Sequence, residues 1–233
     1  MKNTIIFDNK IDFKQGETLT FFLNENFDFR VENRILSAQT LNKIQVYLKN
    51  LKPKKIKEKI IGFDISEKNK VLFIVIKENL VSNNFEELGA NFYSFIKTNK
   101  IDKVNLYADT INSFKLYKKN TELILHFIHG FSLKSYSFNK YKTQNKNIFY
   151  FLFKIVSSEK TLLNNNYFRY KAIESGVFHT RDLVSEPANI LYPKKYVEII
   201  KKLSSLGIKI QIYNESKMKK LGMLALLGVG QGS

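Results

Sequence analysis

Residues 71–76 read VLFIVI, and residues 83–100 read NNFEELGANFYSFIKTNK. The first stretch is a continuous apolar run rich in β-branched residues, which is typical of a strand buried on both faces of a sheet. The second carries apolar residues at the spacing of one helix face; they are Phe85, Leu88, Phe92 and Ile96. We therefore predict a buried strand followed by an amphipathic helix.

The same alternation continues toward the C-terminus. KVNLYAD at residues 103–109 has the pattern of a strand, NTELILHFIHGFSLKSYSF at 120–138 that of a helix, and NIFYFLFKIV at 147–156 that of another strand. Parallel neighbouring strands require crossover connections, and alternating helices supply them. The sequence predicts an α/β layered domain with a mostly parallel sheet.

The first seventy residues carry weaker signals. IIF at residues 5–7 and TLTFFL at 18–23 are predicted as short strands, and residues 31–51 show helical spacing of apolar side chains. KPKKIKEK at residues 52–59 is rich in lysine, with Glu58 as its one acidic residue. We interpret this stretch as a solvated loop or helix face, not as a binding site.

A polar, Asn-rich stretch, LLNNNYFRY at residues 162–170, is typical of a boundary between structural units. We therefore predict two domains, residues 1–160 and residues 161–233. The helix predicted from KAIESGVFHTRDLV at residues 171–184 should bury a rough apolar stripe; its members are Ile173, Val177, Leu183 and Val184.

That helix should end near Ser185, because the ring of Pro187 disfavours helical geometry at the preceding residue. PANI at residues 187–190 then turns the chain, and Pro193 suits the first position of a new helix because its missing N–H needs no partner there. The new helix should turn its apolar residues inward; they are Val197, Ile200 and Leu203.

The C-terminal residues predict two strands with a short helix between them. GIKIQIY at residues 207–213 and MLALLGVG at 223–230 have strand patterns. Asn214 can cap the helix ESKMKKL that lies between them, and Gly222 can end it.

Composition limits the classes of protein to consider. The 233 residues are 44% hydrophobic and include no cysteine, which excludes disulfides, thiolate metal sites and cysteine nucleophiles. The N-terminus lacks the pattern of a signal peptide, and no apolar run approaches the roughly eighteen residues of a membrane span. We expect a soluble, cytoplasmic protein that does not bind membranes.

The formal net charge of +17 raises nucleic-acid binding as an alternative. The excess is nearly all lysine, whereas arginine is better suited to phosphate and guanine recognition; the arginines are Arg30, Arg34, Arg169 and Arg181. Lysines and aromatics also interleave at residues 132–151, a pattern that could stack single-stranded bases. Those aromatics are more simply core residues, so a solvated basic surface is the favoured interpretation.

Candidate chemical groups are few. Asp182 and Glu186 lie four apart, but Pro187 breaks the helix around Glu186, and no histidine lies in the same turn. We favour structural hydrogen bonds for Arg181 and Asp182 at a turn that Asn189 supports.

Two histidines, His126 and His129, stand three apart and could approach one ion, yet their neighbours are apolar and Glu122 is the one carboxylate nearby. Core or boundary positions are favoured for this pair. His179, four residues from Ser175, lacks a positioned Asp partner and is a weak triad member.

A glycine-rich loop, GVGQGS at residues 228–233, follows an apolar run and resembles a phosphate loop. A dinucleotide fingerprint also needs a following helix and an acidic residue about twenty positions on, and the sequence has neither. A tight loop is the favoured interpretation.

Three blocks taken in order resemble the cytosol, or leucyl, aminopeptidase family. They are FIHGFSLKSYSFNKYKT at residues 127–143, KAIESGVFHTRDLVSEPANILYPKKYVEIIKKL at 171–203, and KKLGMLALLGVGQGS at 219–233. The second is similar to the family's segment leading into its catalytic domain. Two positions differ from the family's usual residues. Tyr192 stands where the family commonly has a Thr that caps the helix begun by Pro193, and Phe138-Asn139 stands where the family usually has Phe-Asp.

The resemblance implies an N-terminal α/β domain similar to macro domains, followed by a catalytic domain, in a cytoplasmic homo-hexamer that acts on peptides. It also implies two divalent metal ions, Mn or Zn, that polarise the scissile carbonyl and activate a bridging water. The family holds them in motifs of the types KGxTFDTGG and NTDAEGR, and this sequence contains neither.

No catalytic, cofactor-binding or metal-binding residue can therefore be assigned in this sequence. We expect a sequence that stops before the metal-binding motifs of an aminopeptidase, and 233 residues that are inactive alone. Two alternatives remain open: a basic macro-like module that binds nucleic acid or a nucleotide without catalysis, and the product of a degraded gene.

Overall fold

A computed structural model of the protein describes residues 3–10, 14–29, 35–51, 59–77, 80–114, 119–143 and 149–231. Arg30, Arg34 and most of the Lys-rich stretch lie outside these ranges, as do the last two residues of GVGQGS. The interpretation of residues 52–58 as a solvated loop therefore stays a prediction.

Six strands form one sheet. They are β1 Thr4–Asp8, β2 Thr18–Asn24, β3 Ile60–Asp64, β4 Lys70–Ile76, β5 Lys103–Tyr107 and β6 Leu152–Val156. Their order across the sheet is β1-β6-β5-β2-β4-β3, and every neighbouring pair is parallel except the antiparallel pair of β3 and β4. The predicted α/β class with a mostly parallel sheet is confirmed.

The central strands are buried on both faces. In β4, Leu72 and Ile74 face one hydrophobic cluster, while Val71 and Phe73 face the other. Successive side chains of a strand point to opposite faces, so a strand with a core on each side must be apolar throughout. This arrangement explains why VLFIVI shows no polar alternation.

The described ranges contain seven α-helices beside the sheet strands. They are α1 Ala38–Leu51, α2 Ser82–Thr98, α3 Asn120–Ser135, α4 Lys160–Ser185, α5 Pro193–Lys201, α6 Glu215–Lys220 and α7 Leu224–Gly230. The buried hydrophobic side chains of α1 belong to one hydrophobic cluster, and those of α2, α3 and the first half of α4 belong to the other. The molecule thus has helices on both faces of its sheet, as an α/β layered fold requires.

Helices α2 and α3 approach each other at two glycines. A Cβ atom added to Gly89 would lie 1.9 Å from the backbone oxygen of Phe127, and one added to Gly130 would lie 1.9 Å from the backbone oxygen of Glu86. Real Cβ atoms do not approach backbone oxygens so closely. The two helices therefore meet backbone to backbone at these positions.

Two predicted strands are shorter than expected. KVNLYAD ends as a strand at Tyr107, and residues 108–113 form a 3₁₀ helix. The carboxylate of Asp109 accepts hydrogen bonds from the Ser157 hydroxyl (2.6 Å) and the Ser158 backbone N–H (2.8 Å), which fixes Asp109 in the turn that follows β5. In the described part of NIFYFLFKIV, residues 149–156, the strand is Leu152–Val156.

The Asn-rich stretch LLNNNYFRY, at which the sequence predicts a domain boundary, lies inside α4. Leu163 and Tyr167, four apart, are buried against the core, whereas Asn164, Asn165 and Asn166 between them are exposed. Packing of the two buried side chains outweighs the low helix propensity of asparagine.

The chain divides into two compact units, Met1–Phe178 and His179–Ser233. The first contains the sheet with its two hydrophobic clusters. In the second, every residue that the structure describes is exposed or half-buried. The predicted domains, residues 1–160 and 161–233, stay a prediction.

Several predicted boundaries in the second unit are confirmed. Helix α4 ends at Ser185, α5 begins at Pro193, and the Asn214 side chain caps α6 by accepting a hydrogen bond from the Lys217 backbone N–H at 2.9 Å. Gly222, with φ of 73°, lies one residue beyond the C-cap Leu221 of α6, in the left-handed conformation that favours glycine.

Both strands predicted near the C-terminus are wrong. Residues 207–213 have no regular secondary structure, and residues 224–230 form α7. A strand needs a neighbour for its backbone hydrogen bonds, and these residues pair with no strand in the part of the chain that the structure describes. Leucine and alanine then favour the helix of α7, which satisfies its backbone internally.

The predicted apolar stripe of α4 is also wrong at its ends. Ile173 is 47% exposed and Val184 is 82% exposed, while Leu163, Tyr167 and Glu174 form the buried face.

Within the described ranges, no helix combines the length and the apolar character needed to cross a membrane.

Candidate functional site

A buried carboxylate joins α4 to α3. Glu174 of α4 is 4% exposed, and its oxygens accept hydrogen bonds from His129 Nδ1 (2.9 Å), Ser132 Oγ (2.7 Å) and Tyr167 Oη (3.0 Å). Burying a carboxylate is costly unless donors replace its water. These donors, two from α3 and one from the preceding part of α4, replace that water.

The phenol of Tyr167 is held in its protonated form. Burial is the largest cause, and the negative charge of Glu174 adds to it; together they raise the pKa of Tyr167 far above its ordinary value. The hydroxyl therefore remains a donor to Glu174 throughout the physiological pH range. Its ring also packs on Phe7 of β1, with ring centroids 5.5 Å apart.

This pKa shift predicts a loss of stability in alkali. Above about pH 10 the unfolded chain releases the Tyr167 proton while the folded chain keeps it, so the folded state binds more protons and its stability falls as the pH rises. The stability advantage of the wild-type chain over Tyr167→Phe should shrink by about 1.4 kcal/mol per pH unit in that range. Urea unfolding of both proteins at a series of alkaline pH values measures this difference in stability. A difference that stays constant with pH would contradict the raised pKa of Tyr167.

A cavity of about 470 Å³ adjoins the Glu174 cluster. Its walls come from the start of β1, the residue before β6, the end of α3 and the middle of α4. Polar groups in the wall include Glu174, Ser132 and Lys171, and apolar surface comes from Phe151 and Phe178. The cavity lies entirely within the first compact unit.

A second polar cluster surrounds His126. Its Nδ1 lies 2.8 Å from Glu86 Oε1, and its Nε2 lies 3.3 Å from Tyr170 Oη and 3.8 Å from Glu122 Oε1. Burial first, and then the charges of Glu122 and Glu86, raise the pKa of Tyr170, against a smaller opposing effect of Arg169. The cluster connects α2, α3 and α4 through one imidazole ring.

The sequence profile described as "Cytosol aminopeptidase family, catalytic domain" matches residues 178–233. A probable cytosol aminopeptidase of Phytoplasma australiense is 39% identical over 140 residues, which are 60% of this chain and 28% of that protein. A cytosol aminopeptidase of Rickettsia prowazekii (strain Madrid E) is 38% identical over 163 residues, 67% of this chain and 31% of that protein.

The chain belongs to the cytosol aminopeptidase family. This is a family of hydrolases that are metallopeptidases, and the chain spans about a third of the length of the curated relatives that it matches. The structure of a tomato leucine aminopeptidase mutant has the same fold, with a TM-score of 0.72 at 17% identity; the match covers 95% of this chain and 47% of that one.

The aminopeptidase family implies two metal ions, and the described residues do not fit them. Among these residues, no three or more His, Asp or Glu side chains are grouped to hold a metal. Glu86 and Glu122 approach opposite nitrogens of the His126 ring, so they do not converge on one point. Glu174 accepts hydrogen bonds from His129, Ser132 and Tyr167 and belongs to no such group among the described residues.

The predicted position of the histidine pair is confirmed. His129 is 8% exposed, and the His126 side chain is 17% exposed. Each histidine contacts a different carboxylate from another helix, Glu174 or Glu86. The two rings therefore serve separate clusters.

The other candidates from the sequence do not assemble into a site among the described residues. Asp182 is exposed near the end of α4, and Glu186 lies beyond that end. The Ser175 hydroxyl donates to the backbone oxygen of Lys171 at 2.8 Å, and His179 Nε2 is buried with no hydrogen-bond partner. The structural role of Arg181, Asp182 and Asn189 at the turn stays a prediction.

Two sequence patterns have structural explanations. The favoured interpretation of GVGQGS as a tight loop is wrong for residues 228–230, because they lie in α7, and a helix is not the conformation of a phosphate loop either. The interpretation of the aromatics at residues 132–151 as core residues is wrong for most of them, because among these described aromatics Phe151 alone is buried. Phe138 and Tyr141 pair their rings at 5.8 Å after α3, and the Tyr141 side chain is exposed.

Sequence reasoning missed Glu174 as the centre of the buried cluster. The signal was present, because Leu163, Tyr167 and Glu174 recur at positions that share one helix face. A carboxylate within an otherwise buried face indicates a buried partner. The partner, His129, lies 45 residues earlier in the chain, so periodicity alone did not identify it.

Proposed function

We propose that these residues form the N-terminal α/β unit and the beginning of the catalytic domain of an aminopeptidase that removes N-terminal residues from peptides. One observation carries the proposal: α4 starts within the first compact unit and, at residue 178, enters the segment that matches the catalytic-domain profile. The same helix thus belongs to both parts.

The proposed enzyme is a cytoplasmic homo-hexamer that uses two divalent metal ions, Mn or Zn. The ligands for those ions would belong to motifs of the types KGxTFDTGG and NTDAEGR, which the 233 residues do not contain. No group of His, Asp and Glu that could hold a metal ion occurs among the described residues, which supports the proposal that the metal ligands belong to those motifs. The first unit would then serve binding or assembly, and hydrolysis would need further catalytic residues.

We predict that the purified 233-residue chain does not hydrolyse leucine p-nitroanilide in the presence of Mn²⁺ or Zn²⁺. Two ions that activate water need several converging carboxylates, and the described residues do not provide them. The measurement is the release of p-nitroaniline over several hours. The cytosol aminopeptidase of Rickettsia prowazekii, assayed in the same buffer, is the positive control.

Metal-dependent turnover by the 233 residues, abolished by a chelator and restored by the metal, would overturn the proposal of an inactive chain. It would also show that residues of this chain form a metal centre. Size-exclusion chromatography of the same sample should first show a folded, monodisperse protein, so that inactivity does not merely reflect aggregation.

The alternative function is a basic module that binds nucleic acid without catalysis. The net charge of +17 supports it, as does the turn after α3, where Lys140 Nζ lies 5.4 Å from the centre of the Tyr141 ring. Binding of single-stranded DNA whose affinity falls steeply with salt would favour this alternative. Weak binding without that dependence would favour the aminopeptidase role alone.

A further inference from the structure

The cavity of the first unit carries opposite charges close together. Glu174 and Lys171 both line it, and they stand three residues apart on α4. Residues with this spacing lie on the same side of a helix. The cavity therefore presents a carboxylate and an ammonium group from one helix face.

The two charges do not neutralise each other directly. The Glu174 carboxylate contacts the imidazole of His129, at 2.9 Å, and not the ammonium group of Lys171. An ionised carboxylate offers about four acceptor positions, and the hydrogen bonds from His129, Ser132 and Tyr167 use three of them. Oε1 accepts only the bond from His129, so it keeps a position for a donor in the cavity.

The remaining walls favour an apolar body. Phe151 and Phe178 line the cavity beside Tyr167. Aromatic side chains offer a large apolar surface and ring contacts of defined geometry. The cavity volume of about 470 Å³ falls in the range of small-molecule sites.

We propose that this cavity binds a free amino acid with an aromatic or other apolar side chain. The ligand ammonium donates to Glu174 Oε1, the ligand carboxylate accepts from Lys171 Nζ, and the side chain packs on Phe151 and Phe178. The site belongs to the first unit, so it is separate from the segment that matches the catalytic domain. The inference does not depend on peptidase activity.

The test is isothermal titration of the 233-residue chain with L-phenylalanine at neutral pH. Two analogues each remove one charge: 2-phenylethylamine lacks the carboxylate, and 3-phenylpropanoate lacks the ammonium. We expect L-phenylalanine to bind and each analogue to bind at least roughly tenfold more weakly, since each loses one charge-assisted contact. Glycine, which lacks the apolar body, should also bind more weakly.

The Lys171→Met variant separates the two contacts. It should weaken binding of L-phenylalanine by roughly tenfold and leave binding of 2-phenylethylamine unchanged, because that analogue has no group for Lys171. Lys134→Met is the matched control; Lys134 is an exposed lysine of α3 outside the cavity wall, and its replacement should change neither affinity.

Three outcomes would overturn the proposal. The first is no binding of L-phenylalanine up to about 10 mM by a folded wild-type chain. The second is equal binding of L-phenylalanine and of either single-charge analogue. The third is an unchanged affinity for L-phenylalanine in Lys171→Met.

Discussion

Replacing Gly89 by alanine is expected to destabilise the first unit by at least about 3 kcal/mol. The added Cβ would lie 1.9 Å from the Phe127 oxygen and 2.9 Å from the Phe131 backbone nitrogen. Both neighbours are backbone atoms of α3, so no rotamer change can relieve the contact. The helices must separate, and the buried aromatic residues between them and the sheet lose contacts.

Gly130→Ala should have a similar effect, because its Cβ would meet the Glu86 backbone oxygen from the opposite helix. The matched control is Gly176→Ala on α4, where nothing lies within 4 Å of the added atom. That variant should be more stable than the wild type by about 0.5–1 kcal/mol, as alanine favours the helix. Urea unfolding followed by circular dichroism measures all three variants.

A loss of less than about 1 kcal/mol in Gly89→Ala would show that α2 and α3 are not in backbone contact. If Gly176→Ala were also destabilised, alanine would be disfavoured at these helix positions for a reason other than close backbone contact. Strong destabilisation of Gly89→Ala and Gly130→Ala together with stabilisation of Gly176→Ala is expected only if α2 and α3 are in backbone contact at the two glycines.

Glu174→Ala is expected to destabilise the first unit by about 3–5 kcal/mol. The substitution leaves His129, Ser132 and Tyr167 without their common acceptor in a buried environment, and an unpaired buried donor bears the cost of its lost hydration. Glu174→Gln keeps an acceptor oxygen, so its loss should be smaller. Thermal and urea unfolding of the three proteins measure this order.

Glu198→Ala provides the control for removing a carboxylate. Glu198 pairs with Lys195 at 2.8 Å, but both side chains are 49% exposed, and exposed pairs contribute little to stability. Its unfolding midpoint should not change measurably. Equal losses in Glu174→Ala and Glu198→Ala would refute a special role for the buried cluster.

The first unit was largely predictable because its signals are local. VLFIVI, the helix after it and the alternation of strands with helices each follow from the spacing of apolar residues within one element. β3 was missed because it is a short strand whose status depends on its antiparallel pairing with β4. The Asn-rich part of α4 was misread because burial of Leu163 and Tyr167, not local propensity, determines its conformation.

The two wrong strands near the C-terminus show a different limit. Alternation in GIKIQIY and the apolar run of MLALLGVG describe which side chains prefer burial, but a strand also needs a hydrogen-bonded neighbour. Helix boundaries there were predicted well, because the roles of Pro193, Asn214 and Gly222 need no distant partner.

The candidate site was the least predictable part. Its groups come from α3 and α4 and from the start of β1, so contacts between distant parts of the chain create it. The spacing of His126 and His129 in the sequence identified them as a candidate pair. In the structure, each histidine contacts a carboxylate of another helix.

The position of β1 in the sheet bears on synthesis of the chain by the ribosome. Among the strands that the structure describes, the one neighbour of β1 is β6, with Thr4 opposite Leu152. At the ordinary translation rate of about 5–20 residues per second, the first strand waits roughly 7–30 s for its partner. During this time its apolar edge is open to chaperones and to other nascent chains, whereas β2 meets β4 much sooner.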